Sequence, residues 1–223
     1  MMQVKVGAKS GLPSKAHGVT GLQSNTSPAL VRVEHLSFGF ETALLIDLNF
    51  EIYQGVSCIV GGESRGKTTL LRLLAGQLQA HSGVIHRNGQ DSTHPQCFWQ
   101  PVRDNDWNDL TPRAWCTQLQ ARYPRMNISQ LDAVAEHLNL SEHMDKAMFM
   151  LSSGSQRKVI WLAAMISGAD LLLMDEPFAA LDVASIRALQ DMLANWSQPS
   201  AWILADYQVP TGVPVQTLID LGD

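Results

Sequence analysis

The stretch that decides the fold is "GVSCIVGGESRGKTTLLRLL", residues 55–74. Its first six residues are a short apolar run of strand length, and two glycines end it. Leu70, Leu71, Leu74 and Leu78 then recur at helical spacing, with Gly76 set to fray or cap the helix end. Between strand and helix, Gly61, Gly62, Glu63, Ser64, Arg65, Gly66, Lys67, Thr68 and Thr69 satisfy G-x-x-x-x-G-K-[ST]. Successive backbone N–H groups of such a loop wrap a phosphate, and the helix start behind them favours negative charge. Lys67 is placed as a solvent-side ligand for β- and γ-oxygens, and the Thr68 hydroxyl as a ligand for Mg²⁺. A glycine turn with a surface lysine is the bland alternative.

A second stretch completes the site. "LLLMDEP" (171–177) is another apolar strand, and it delivers Asp175 and Glu176 at its carboxyl end. In an open α/β sheet, ligands bind beyond the carboxyl ends of parallel strands. Asp175 is the candidate to hold Mg²⁺ through water, and Glu176 the candidate to polarise a water against the γ-phosphate. A helix with Leu189, Met192, Leu193 and Trp196 on one stripe separates this strand from "AWILA" (201–205), which implies parallel pairing.

The remaining chain fits around that unit. "LVRVEHLSF" and "LNFEI" alternate as strands ahead of the phosphate loop, and "PVQTLIDLGD" offers a last short strand. "TPRAWCTQLQARYP" and "ISQLDAVAEHL" read as helices of an inserted subdomain over about 104–165. Residues 1–28, rich in Gly, Ser, Lys and Pro, read as a flexible arm, which leaves 29–223 as one domain. The expected fold is α/β, with a parallel-sheet nucleotide core, an N-terminal antiparallel β subdomain and a helical insertion.

Composition narrows the function. Net charge is −5 with no dense basic run, so nucleic acid is not an expected partner. Cys58, Cys97 and Cys116 are scattered and odd in number, which points to a reducing cytosol rather than to disulfides or zinc. No apolar segment reaches the ~18 residues of a membrane span, and the N-terminal residues hold no secretory core.

Four further segments ask for explanation. "LSSGSQRKV" (151–159) opens an apolar helix on small residues: Ser152 or Ser153 is an ordinary N-cap, or the helix start awaits an anion. "FWQP" (98–101) ends a strand on Gln100, "FAALD" (178–182) ends on Asp182 before a helix, and "LSFGF" (36–40) ends on Phe40. Taken in order with the phosphate loop and "LLLMDEP", these segments resemble the ATP-binding cassette (ABC) family, specifically the nucleotide-binding subunit of an ABC transporter, from residue 30 onward.

That resemblance implies ATP and Mg²⁺ as cofactors and hydrolysis carried by Lys67, Glu176 and Gln100. Gln100 would touch Mg²⁺ with Thr68 and Asp175, and would sense a membrane partner; otherwise it is a strand-end amide. Phe40 would stack on adenine, or be core. Asp182 would organise a dimer seam, or simply cap its helix. Ser152 and Gly154 would bind the γ-phosphate of ATP held by a second subunit. The implied assembly is a homodimer or heterodimer of cassettes on a separate permease, peripheral on the cytoplasmic face of a membrane. The alternative is a non-transport or regulatory ATP switch with slow hydrolysis. Three departures stand out: Ser64 where a glycine is common, Ser153 and Ser155 in the signature, and no histidine at the end of "AWILADYQ", where the family's γ-phosphate contact is expected around Ala205.

Overall fold

A computed structural model of the chain describes residues 18–21, 28–40, 42–88, 96–101 and 106–222. In chain order they form β1 (Gly18–Gly21), β2 (Val31–Gly39), β3 (Ala43–Ile52), β4 (Gly55–Val60), α1 (Lys67–Leu74), β5 (Ser82–Arg87) and β6 (Cys97–Trp99). There follow α2 (Pro112–Leu119), α3 (Leu131–His137), α4 (Ser153–Ile166), β7 (Leu171–Asp175), α5 (Val183–Ala194), β8 (Ala201–Asp206) and β9 (Val215–Asp220). Short 3-10 turns at Ile128–Gln130, Ser141–His143 and Met148–Met150 link the helices of the insertion.

The main sheet runs β1-β9-β4-β8-β7-β6, parallel throughout except for β1, which lies antiparallel on β9. Its central strands are apolar on both faces because both faces are covered. Side chains alternate across it: Leu172, Met174, Trp202 and Leu204 join the core under α4, while Leu171, Leu173, Ile203 and Ala205 join the core under α1 and the second sheet. That second sheet, β3-β2-β5, is antiparallel and buries alternate residues of β2, such as Val31 and Val33. Within the helical insertion, α4 is surrounded: Val159, Ile160, Trp161, Leu162 and Ala163 are all buried.

Three features differ from the sequence reading. Residues 18–21, assigned above to a flexible arm, pair with 217–220; the rest of that arm up to residue 27 lies outside the described residues, as do 102–105 around the start of the insertion. β5 was not anticipated; it completes the antiparallel sheet, and Arg87 at its end donates to the Leu73 and Leu74 carbonyls that terminate α1. The stretch 111–124 is helical only over α2. The three cysteines are free, and burial pushes each thiol up to about 12, so none is a ready thiolate.

The insertion is clamped to the sheet at Asp170, buried just before β7. Its carboxylate accepts from the Gln96 N–H at 2.8 Å ahead of β6 and from Arg125 Nη2 at 2.7 Å in the insertion. Truncation removes the acceptor of the part-buried Gln96 N–H and a charged partner of Arg125. Asp170→Ala is therefore expected to lower unfolding stability by about 2–3 kcal/mol in urea titration, whereas a change under 0.5 kcal/mol would show that the clamp contributes nothing.

Candidate functional site

β4 ends at Val60, and the loop after it is held from behind by bonds from Leu221 N to Val60 O and from Gly62 N to Gly222 O, both 2.9 Å. Gly66, in a left-handed conformation (φ 96°), turns the chain into α1, where a Cβ would meet Leu44 and Leu45 at 3.0 Å. The result is a cleft of about 360 Å³ lined by Glu63, Ser64, Arg65, Gly66, Lys67, Thr68, Thr69, Asp175 and Glu176, with Leu44 and Tyr207 at its sides. Ser64 takes φ 58°, the left-handed conformation that a glycine adopts without steric cost. Lys67 is not solvent-side as expected but only 8% exposed. Its ammonium donates to the Gly61 and Gly62 carbonyls at 2.7 Å each and lies 4.2 Å from the centre of the Tyr207 ring.

The sheet's alternation aims the acids. Asp175 continues the Leu171–Leu173 series toward α1, where its Oδ2 accepts from the Thr68 hydroxyl at 2.6 Å. Burial raises the Asp175 carboxyl above the usual range, and the Thr68 bond pulls the other way. Glu176 sits at φ 45° with its N–H on the Ala205 carbonyl at 2.8 Å, and its side chain is exposed to the cleft. β8 lies between β4 and β7, so its end closes the same edge.

That geometry corrects one expectation. Ala205 is fully buried in the α1-side core; the side chain that β8 leaves at its mouth is Asp206, followed by Tyr207. The Asp206 carboxyl is half-buried, which raises its pKa, while a 2.7 Å bond from the Tyr207 N–H lowers it. Lys67, Arg157 and Glu176 supply the surrounding charge.

Other anticipated residues lie outside the cleft lining. Phe40 is 73% exposed and meets Phe38 edge-on at 5.2 Å, so it is not core. Gln100 directly follows β6, roughly level with Met174 in the neighbouring strand. Ser152 caps α4, accepting from Ser155 N at 3.1 Å, and Gly154 presses so closely on Ala180 that a Cβ would lie 2.5 Å from its carbonyl oxygen. Asp182 caps α5 through Ser185 N at 2.8 Å. Arg157 was missed: it donates to the Asp175 and Glu176 carbonyls, and the only signal for it was a cation one turn into an apolar helix.

Comparison with known proteins finds relatives in sequence and in fold. A sequence profile described as ABC transporter matches residues 45–179. The chain is 28% identical over 176 residues to an uncharacterized ABC transporter ATP-binding protein of Methanocaldococcus jannaschii, covering 78% of this chain and 66% of that one, just under two thirds of its length. It is 31% identical over 182 residues to an aliphatic sulfonates import ATP-binding protein of Corynebacterium glutamicum, covering 78% and 71%. The solved ATP-binding subunit of an ABC transporter shares the fold, with a TM-score of 0.65 at 22% identity over 80% of this chain and 79% of that one.

Asp206 offers a test of the site's electrostatics in the free protein. Its folded pKa lies above its unfolded value, so the folded state holds the proton more tightly and ionisation destabilises. The penalty is absent below the unfolded value near 3.8 and grows as pH rises through the folded one. Asp206→Asn should thus raise Tm at pH 7–8, with the gain vanishing below about pH 4; a gain that persists undiminished in acid would contradict this.

Proposed function

The chain belongs to the ABC transporter family, and we propose that it is the ATP-binding and ATP-hydrolysing subunit of a transporter, dimerising around MgATP to drive separate membrane-spanning subunits. The observation that carries this reading is the convergence of Lys67, Thr68, Asp175 and Glu176 on one cleft from two segments more than a hundred residues apart. Loop N–H groups and the start of α1 receive the phosphates, and Lys67 exchanges its two carbonyl acceptors for phosphate oxygens. The Thr68 hydroxyl and Asp175 carboxylate are hard oxygen donors that fit Mg²⁺, which takes one or two protein ligands and completes its shell with water and phosphate. Bound there, the ion would neutralise charge on the transferring phosphoryl group. Glu176, exposed at the cleft, is the base that polarises the attacking water.

Gln100 as a Mg²⁺ contact and permease sensor, and Phe40 as the adenine platform, rest on the family resemblance; the exposure of Phe40 supports a stacking role over a core one. Ser152 and Gly154 stand away from their own cleft at an exposed helix start, which supports their serving a second subunit's ATP. A hydroxyl donates one bond and accepts two, so Ser152 can keep its cap on Ser155 and still donate to a phosphate. Among the described residues no helix is long and apolar enough to cross a membrane; the family resemblance is what assigns the spans to partner subunits and the cassette to a peripheral place on the cytoplasmic side.

Two experiments test this. Glu176→Gln with MgATP should accumulate as a dimer in size-exclusion chromatography with light scattering, and adding Ser152→Asp, which preserves the cap but repels phosphate, should return it to monomer. An ATP-independent mass for both proteins would overturn the composite site. The resemblance puts the γ-phosphate contact at the end of β8, where Asp206 supplies no permanent donor; such a donor typically contributes about 10²- to 10³-fold. Basal phosphate release should therefore be slow, and Asp206→His should raise it; a rate unchanged or lowered by that histidine would remove Asp206 from the γ-phosphate position.

A further inference from the structure

α4 carries Ser152 and Gly154 at its start, but its contact with the rest of the site runs further along. Gly154, Arg157 and Trp161, spaced i, i+3, i+7, share one helical face, and all three meet residues 175–180. Gly154 lies against the Ala180 carbonyl, Arg157 Nη1 donates to the Asp175 carbonyl at 3.2 Å and to the Glu176 carbonyl, and Trp161 Nε1 donates to the Pro177 carbonyl at 3.0 Å.

Arg157 is the costly member of the set. It is 8% exposed, burial works against its charge, and its buried Nε has no hydrogen-bond partner among the described residues. An apolar side chain of similar length would fill this position with less penalty. What a guanidinium adds is a planar donor whose Nη1 reaches the carbonyls of two consecutive residues, and a positive charge beside Glu176, Asp175 and Asp206. The residue it holds is itself constrained: Glu176 is left-handed, a conformation that a residue with a Cβ keeps only when its surroundings impose it. The bonds that impose it are Glu176 N on Ala205 O, Ala179 N on Glu176 O, and Arg157 on Glu176 O.

We propose that Arg157 is a positioning residue for Glu176: it locks the 175–176 backbone in the turn that presents the carboxylate to the cleft. It thereby ties the helix that carries Ser152 and Gly154 to the hydrolytic residue of the same subunit. The inference rests on Glu176 being that residue. Movement of the α4 start, as on engagement of a second subunit's nucleotide, is transmitted by the guanidinium to Glu176 with no change in the phosphate loop.

The test uses the full chain with Arg157→Met and Arg157→Lys. Arg157→Met should lower kcat for phosphate release about 10- to 100-fold, the scale of a misplaced catalytic group, while KM for MgATP and the affinity for a non-hydrolysable ATP analogue stay within about twofold. Arg157→Lys, which retains a cation able to reach a carbonyl, should recover most of the rate. Hydrogen exchange read on peptides spanning 174–182 should quicken in Arg157→Met, return toward wild type in Arg157→Lys, and leave peptides of the phosphate loop unchanged. An unaltered kcat, or parallel losses of kcat, nucleotide affinity and Tm that the lysine does not repair, would overturn the positioning role. If wild type shows no turnover, the ATPase reading fails by itself, and exchange at 174–182 still decides the role: unchanged protection in Arg157→Met refutes it.

Discussion

The parallel register of β4, β8 and β7 is the constraint on which the site depends. Val60 pairs with Asp206, and Asp175 with Ala205, so three strand ends finish on one edge of the sheet. Side chains alternate across that edge, which sends Asp175 toward α1 and Asp206 toward α4. Asp175 therefore finds Thr68 at the start of α1, and Asp206 comes within the field of Arg157 from α4. A shift of one residue in β7 would exchange those faces and separate the Thr68–Asp175 pair. The register is held by burial: Leu171, Leu173, Ile203 and Ala205 pack under α1 while Leu172, Trp202 and Leu204 pack under α4, so a slip would disturb both cores together.

Charge at this edge is arranged around an excess of acid. Asp175, Glu176 and Asp206 converge there, and the neighbouring cations are Lys67 and Arg157. The two cations differ in what they can release. Lys67 is a compact ammonium on a flexible stem and can leave its two carbonyl acceptors for a phosphate. Arg157 is planar, buried and directed at backbone carbonyls, so it stays.

Legibility followed the range of the forces involved. The phosphate loop, the Asp175–Glu176 strand end and the caps at Ser152 and Asp182 were readable because each depends on a few consecutive residues and on backbone geometry. The helical insertion and the parallel strands were readable from apolar period. Features set by three-dimensional neighbours were not: β5 carries no strong alternation and forms because β2 offers it an edge, and Arg87 caps α1 from thirteen residues beyond its last turn. Ala205 was placed in the site because no local signal tells on which face a strand's last residues point; pairing with β7 puts it in the core and leaves Asp206 at the mouth. Arg157 was invisible for the same reason, since its partners are carbonyls that any sequence supplies.

Lys67 shows how the departures from the family pattern act together. An ammonium has three donors, and here two meet the Gly61 and Gly62 carbonyls while the Tyr207 ring lies over the same nitrogen. The lysine is thus satisfied by its own protein, and under the proposed function nucleotide binding would exchange these partners for phosphate oxygens. Tyr207 is half-exposed, so its cation–π contact is worth only about 0.5–1 kcal/mol and yields readily. Tyr207 follows directly on Asp206, whose Oδ1 accepts the Tyr207 N–H. The end of β8 thus bears on the lysine through the Tyr207 ring, which lines the cleft, while Asp206 holds the backbone of that same residue.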